Sequence, residues 1–114
     1  MDNHTWGLLA EYFVIMRYLA YGYIPIKHRW NNKLGEIDLI FKRGSSIIFC
    51  EVKARSSDFN VESPVTTNQK QRLIKSADHF LSMNQRMKIK SVRFDLAIVK
   101  SIFRVQIHKG WIGW

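Results

Sequence analysis

Two short segments hold acids and a lysine at spacings that suit phosphodiester chemistry: Gly35-Glu36-Ile37-Asp38 and Glu51-Val52-Lys53. Side chains alternate faces along an extended strand, so Glu36 and Asp38 share a face, as do Glu51 and Lys53. Between the segments, Arg43-Gly44-Ser45-Ser46 reads as a hairpin turn. With Gly44-Ser45 at its centre, or with a four-residue loop over 43–46, Asp38 falls opposite Glu51 and Glu36 opposite Lys53. A three-residue loop would instead bring opposite-face residues together. The apolar pattern favours the first register, because Ile37, Leu39 and Phe41 then share a face with Cys50 and Val52.

Directly opposed cross-strand residues have Cβ atoms about 4.5–5.5 Å apart. Two carboxylates at that distance repel unless something compensates. Mg²⁺ is a natural compensator, since it takes oxygen ligands and is usually held by one or two carboxylates plus substrate phosphates. Lys53 points into the same site, where an ammonium stabilises an attacking water or the charge growing on phosphorus. The competing reading is a solvated strand face, with Glu36 and Lys53 in a cross-strand ion pair worth under about 1 kcal/mol. Against it, four apolar residues, Ile47 to Cys50, precede Glu51. They mark a covered strand, where charges need compensation.

The elements that must position these groups follow from periodicity. Residues 5–21 repeat apolar side chains at three- and four-residue spacing (Leu8, Leu9, Tyr12, Phe13, Ile15, Met16, Leu19, Ala20) and predict a helix. Asn3 or Thr5 caps it and Gly22 stops it. Residues 23–30, with Pro25 near their start, predict an edge strand. Residues 35–42 and 46–54 are the two strands of the hairpin. Residues 55–65 are polar and predict a loop directly after the acidic site. Thr66-x-x-Gln69 fits a capping box for a second helix, whose stripe is Leu73, Ile74, Ala77, Phe80 and Leu81. Residues 92–99 and 102–108 alternate and predict two more strands. The order α-β-β-β-α-β-β predicts an α/β (α+β) domain with a mixed sheet, its helices on both sides or together on one.

Composition bounds the function. The chain has 114 residues, and one domain over 1–114 is expected. With 46% hydrophobic residues it is not a disordered basic tail. The net charge of +9 suggests a polyanionic partner such as nucleic acid. That charge is unevenly placed. Residues 1–38 hold four Lys/Arg and four Asp/Glu, residues 39–66 four and three, and residues 67–114 ten and two. Arg55, Lys70, Arg72 and Lys75 flank the acidic site in sequence and suit phosphate contacts. Cys50 lies in an apolar run and is expected to be a buried, inert thiol. Asp95 is expected in a salt bridge with Arg93 or Arg29. The four histidines show no metal spacing and are expected at the surface. Trp111 and Trp114 suit core capping, base stacking or a dimer seal. Glu11 and Arg17 interrupt the apolar stretch near the N-terminus, so no signal peptide and no membrane partner are expected, and a cytoplasmic location fits.

An acid, then Glu-x-Lys across a hairpin, resembles the PD-(D/E)xK nuclease superfamily. A wider set resembles the YraN-like family of uncharacterised proteins: Gly7-x-x-Ala10-Glu11, Gly22-Tyr23, Ile26, Arg29, Gly35-Glu36-Ile37-Asp38-Leu39-Ile40, Phe49-x-Glu51-Val52-Lys53-x-Arg55, Lys70 and Arg93-Phe94-Asp95. That family is regarded as a predicted endonuclease group, distantly similar to archaeal Holliday junction resolvases. The resemblance runs from residue 7 to about residue 99. It implies a restriction-endonuclease-like core and Mg²⁺- or Mn²⁺-dependent hydrolysis of DNA, branched DNA in particular. It makes Asp38 and Glu51 metal ligands and Lys53 the catalytic lysine. It adds Glu11, from the first helix, as a third acid at the metal, and Arg29 as a backbone contact. A homodimer would suit a branched substrate of two-fold character. The alternative is a nucleic-acid-binding protein that retains the fold without catalysis.

Overall fold

The computed structural model describes residues 3–54, 67–101 and 103–112. Its elements run α1 (Asn3–Ala20), β1 (Ile24–Asn32), β2 (Gly35–Arg43), β3 (Ser46–Ala54), α2 (Thr67–Met83), a 3₁₀ turn (Gln85–Met87), β4 (Ser91–Ser101) and β5 (Arg104–His108). The order α-β-β-β-α-β-β is the one the sequence predicts. The capping box at Thr66, the 55–65 loop, Arg55 and Trp114 lie outside the described residues.

The five strands form one sheet in the order β1-β2-β3-β4-β5. Neighbours are antiparallel except β3 and β4, which are parallel from Ser46↔Ser91 to Ala54↔Val99. A parallel pair needs a long crossover, and the segment containing α2 supplies it. Central parallel strands are covered on both faces. Accordingly Ile47 to Cys50 and Phe94 to Val99 are buried without interruption. Pro25 sits on the edge strand β1, beside a register shift between Pro25 and Lys27.

The helices cover opposite faces. Ala10, Val14 and Tyr18 of α1 pack on Leu39, Phe41, Ile48, Cys50, Ala97 and Val99. Leu73, Ala77 and Phe80 of α2 pack on Ile37, Ile40, Ile47, Phe49 and Phe94. The buried stripe of α1 differs from the expected one: Tyr12, Met16 and Leu19 are at least half exposed, at 53, 55 and 50%. Apolar residues ring so much of this helix that spacing alone does not select the buried side.

α1 ends as Gly22 predicts. Gly22 has φ +86°, its N–H reaches the carbonyl of Leu19, and the N–H of Tyr23 reaches that of Tyr18. This is a Schellman motif, completed by an edge contact between the Tyr18 and Tyr23 rings at 5.8 Å. It fixes Tyr18, whose hydroxyl donates to the fully buried Asp95. Arg93 grips Asp95 with two N–H groups at 2.8 Å. The expected Arg93–Asp95 salt bridge is therefore present within β4, and the Tyr18–Asp95 hydrogen bond ties β4 to α1.

Candidate functional site

The β2–β3 ladder runs from Arg43↔Ser46 to Leu39↔Cys50, the register the turn implies. It stops one pair short of Asp38 and Glu51. There Asp38 turns its own Oδ2 onto the backbone N–H of Val52 at 2.8 Å, so a side chain takes the place of a ladder acceptor. The pleat also breaks at this point. Leu39 packs in the α1 layer but Ile37 packs in the α2 layer. The expectation that Ile37 shares a face with Leu39 and Phe41 is thus corrected, because β2 parts from β3 at Asp38.

This departure brings three predicted residues together. The carboxyls of Asp38 and Glu51 share a hydrogen bond, and Lys53 Nζ lies 3.5 Å from Glu51 Oε1. Burial first, then the charge of Asp38, pushes the Glu51 carboxyl up to about 8. Burial also raises Asp38, while its hydrogen bonds from Glu51 and the Val52 N–H pull the other way. Near neutral pH the two carboxyls together therefore favour retaining a proton. Two carboxyls sharing a proton beside an ammonium form a group whose proton a divalent cation can replace.

Glu11, the expected third acid, acts on Asp38 through its charge, and its own carboxylate is engaged by two neighbours. It is 7% exposed and is held by His28 Nε2 at 2.5 Å and by Arg29 Nε at 3.0 Å. Arg29 adopts φ +55°, a left-handed conformation costly for a side-chain-bearing residue. The register sets Arg29 opposite Asp38, and both are missing from the paired positions. Among the described residues, no three of His, Cys, Asp and Glu converge closely enough to hold an ion by themselves. Asp38 and Glu51 interact directly, and the charge of Glu11 acts on Asp38.

Glu51 and Lys53 open on a cleft of about 190 Å³ between the sheet and α2, with Asp38 behind Glu51 and outside the lining. Glu36, Glu51 and Lys53 line it from β2 and β3, and Arg72, Leu73 and Ser76 line it from α2. Arg72 is thus at the site, as expected. Lys70 stands beside it, its Nζ 5.3 Å from the ring centre of Trp111, which also lines the cleft. Lys75 is exposed on α2 and outside the lining. Glu36 and Lys53 share the cleft, but the β2–β3 ladder ends at Leu39↔Cys50, before it would pair them. Ser76 is the lining residue that sequence reasoning missed: a serine between Leu73 and Ala77 gives no signal until the helix is docked. Elsewhere Cys50 is buried, and burial pushes its thiol well up, away from reactivity. His28 and His79 are exposed, but His108 Nε2 is buried, against the expectation that all histidines lie at the surface.

The fold and site define a mixed α/β domain with two carboxyls and an ammonium at the mouth of a sheet–helix cleft. Within that class the chain belongs to UPF0102, an uncharacterised protein family whose model matches residues 10–99. A UPF0102 protein of Ruegeria pomeroyi is 35% identical over 112 residues, 97% of this chain and 90% of that one. One from Roseobacter denitrificans is 33% identical over 101 residues, 89% and 78% of the two chains. One from Ehrlichia ruminantium is 38% identical over 93 residues, covering 82% and 72%. No helix among the described residues is long and apolar enough to cross a membrane.

Proposed function

We propose that the domain is a Mg²⁺- or Mn²⁺-dependent endonuclease that hydrolyses phosphodiester bonds of DNA, on the PD-(D/E)xK arrangement it resembles. The observation that carries this reading is the hydrogen-bonded Asp38–Glu51 pair with Lys53 Nζ 3.5 Å from Glu51, at the mouth of a cleft that Arg72 enters. An isolated surface ion pair would not need two half-buried acids set against each other.

Asp38 and Glu51 would hold the ion, which when bound acts as a Lewis acid on the phosphoryl oxygen and lowers the pKa of water. Lys53 offers three N–H donors on a flexible stem. It steers the attacking water and stabilises charge growing on the phosphoryl oxygens. Arg72 and Lys70 neutralise the phosphodiester and orient it. The water oxygen forms a bond to phosphorus, and one bond from phosphorus to a sugar oxygen breaks. The water gives up a proton and the departing oxygen takes one. Glu11, held by His28 and Arg29, would assist at the ion directly or through water.

The experiment is incubation of labelled four-way, flap and linear DNA with Mn²⁺ or Mg²⁺. Cleavage should fall at least about 100-fold in Asp38→Asn and in Lys53→Ala, the scale of losing an electrostatic catalytic donor. Cleavage that persists in Lys53→Ala belongs to a contaminant and removes the proposal. DNA binding with no variant-sensitive cleavage would leave a binding protein on a nuclease-like fold.

A further inference from the structure

The cleft contains groups that the hydrolytic step does not use. Ser76 is 1% exposed, and its Oγ has no hydrogen-bond partner among the described residues. A serine within a helix that is not facing water usually turns its hydroxyl onto the carbonyl four residues earlier. Ser76 does not. Trp111 Nε1 is also buried without a partner among the described residues. Four described residues (Asn32, Ser76, His108 and Trp111) have such an atom, and two of them line this one cleft. Buried polar groups left unmade cost stability, so two in one place point to a ligand.

The wall opposite Ser76 is the backbone of Gly35. Gly35 adopts φ +148°, a backbone conformation that favours glycine, and a Cβ there would lie 3.7 Å from Ser76 Oγ. The cleft thus offers a hydroxyl, an indole N–H, an aromatic ring and two cations, Arg72 on its lining and Lys70 against Trp111. Its complement is a ligand with acceptor atoms, a flat π-face and a negative charge, which describes a nucleotide. In a duplex the base faces are stacked and the edges paired, so neither reaches an indole inside a cleft of about 190 Å³.

We infer that this cleft takes one unpaired nucleotide of DNA, held by Ser76, Arg72 and Trp111, next to the phosphodiester that Asp38, Glu51 and Lys53 address. The position beside a cleaved bond rests on the proposed nuclease reading; the pocket itself does not. The substrate class is then DNA with an unpaired nucleotide at the site, as at a flap, a gap or a single strand.

The test is fluorescence anisotropy in EDTA with three labelled probes: a short single strand, its blunt duplex, and that duplex with a one-nucleotide flap. The single strand and flap should bind at least about tenfold tighter than the duplex, the scale of one base stacked on an aromatic ring. Ser76→Ala should weaken single-strand binding about three- to tenfold, leave duplex binding unchanged, and leave Tm equal or higher, because an unmade hydroxyl is removed. Trp111→Ala should lose more than Trp111→Phe, which keeps a ring. Equal affinity for strand and duplex would overturn the inference. So would a lower Tm in Ser76→Ala, which would make the hydroxyl a structural partner, or unchanged single-strand affinity in that variant. Asp38→Asn separates the two proposals. If the wild-type protein cleaves none of the DNAs while the unpaired-nucleotide preference holds in wild type and in Asp38→Asn alike, the nuclease reading fails and the pocket stands.

Discussion

Glu51 sits where burial and the charge of Asp38 both oppose ionisation, so its carboxyl is raised from the ordinary 4.5 to about 8. Between those values the unfolded chain releases the proton and the folded one retains it. The unfolded state then binds fewer protons, and stability falls as pH rises through that window. Glu51→Gln removes the titration. In EDTA its Tm should exceed wild type by a few degrees at pH 8 and by less at pH 5, read by thermal unfolding. On the proposed reading a metal ion would take the place of that proton, so Mn²⁺ affinity should climb as pH rises toward about 8 and flatten beyond it. Binding titrations at several pH values read this directly. The types and spacing of Asp38, Glu51 and Lys53 were legible in the sequence. The engagement of Glu11 by His28 and Arg29 was not, because it depends on a left-handed residue on an edge strand.

At the scale of elements, the site depends on where β2 and β3 separate. The two-residue turn sets the register, and that was readable from Gly44-Ser45 and the apolar alternation. The break at Asp38 was not, since alternation carried through Ile37 predicts an unbroken strand. The same applies to α1, where Val14 and Tyr18 are buried but Tyr12 and Met16 are not. Two substitutions test these supports without touching the acids. Gly22→Ala forces a side chain into φ +86° and should cost about 1–2 kcal/mol in urea unfolding. Tyr18→Phe removes a donor from buried Asp95 and should cost about 1–3 kcal/mol, with Arg93 still bound to the acid.

For the whole molecule, the +9 charge is concentrated after residue 66, and α2 carries part of it to the cleft. Each phosphate contact contributes about 0.9 to the slope of log affinity against log salt. Arg72→Gln should therefore flatten that slope by about 1 for DNA, whereas Lys75→Gln, outside the cleft, should leave it unchanged. Charge by position and element order were legible because they are properties of the chain itself. The cleft was not, because Gly35, Ser76 and Trp111 come from three distant segments that meet only when α2 and the C-terminal turn dock on the sheet. The central claim is that Asp38 and Glu51 hold a divalent ion. Calorimetric titration of Mn²⁺ into the protein at pH 8 measures this most directly. A saturable site that disappears in both Asp38→Asn and Glu51→Gln is the predicted result. No binding, or the same affinity in wild type and both variants, would contradict it.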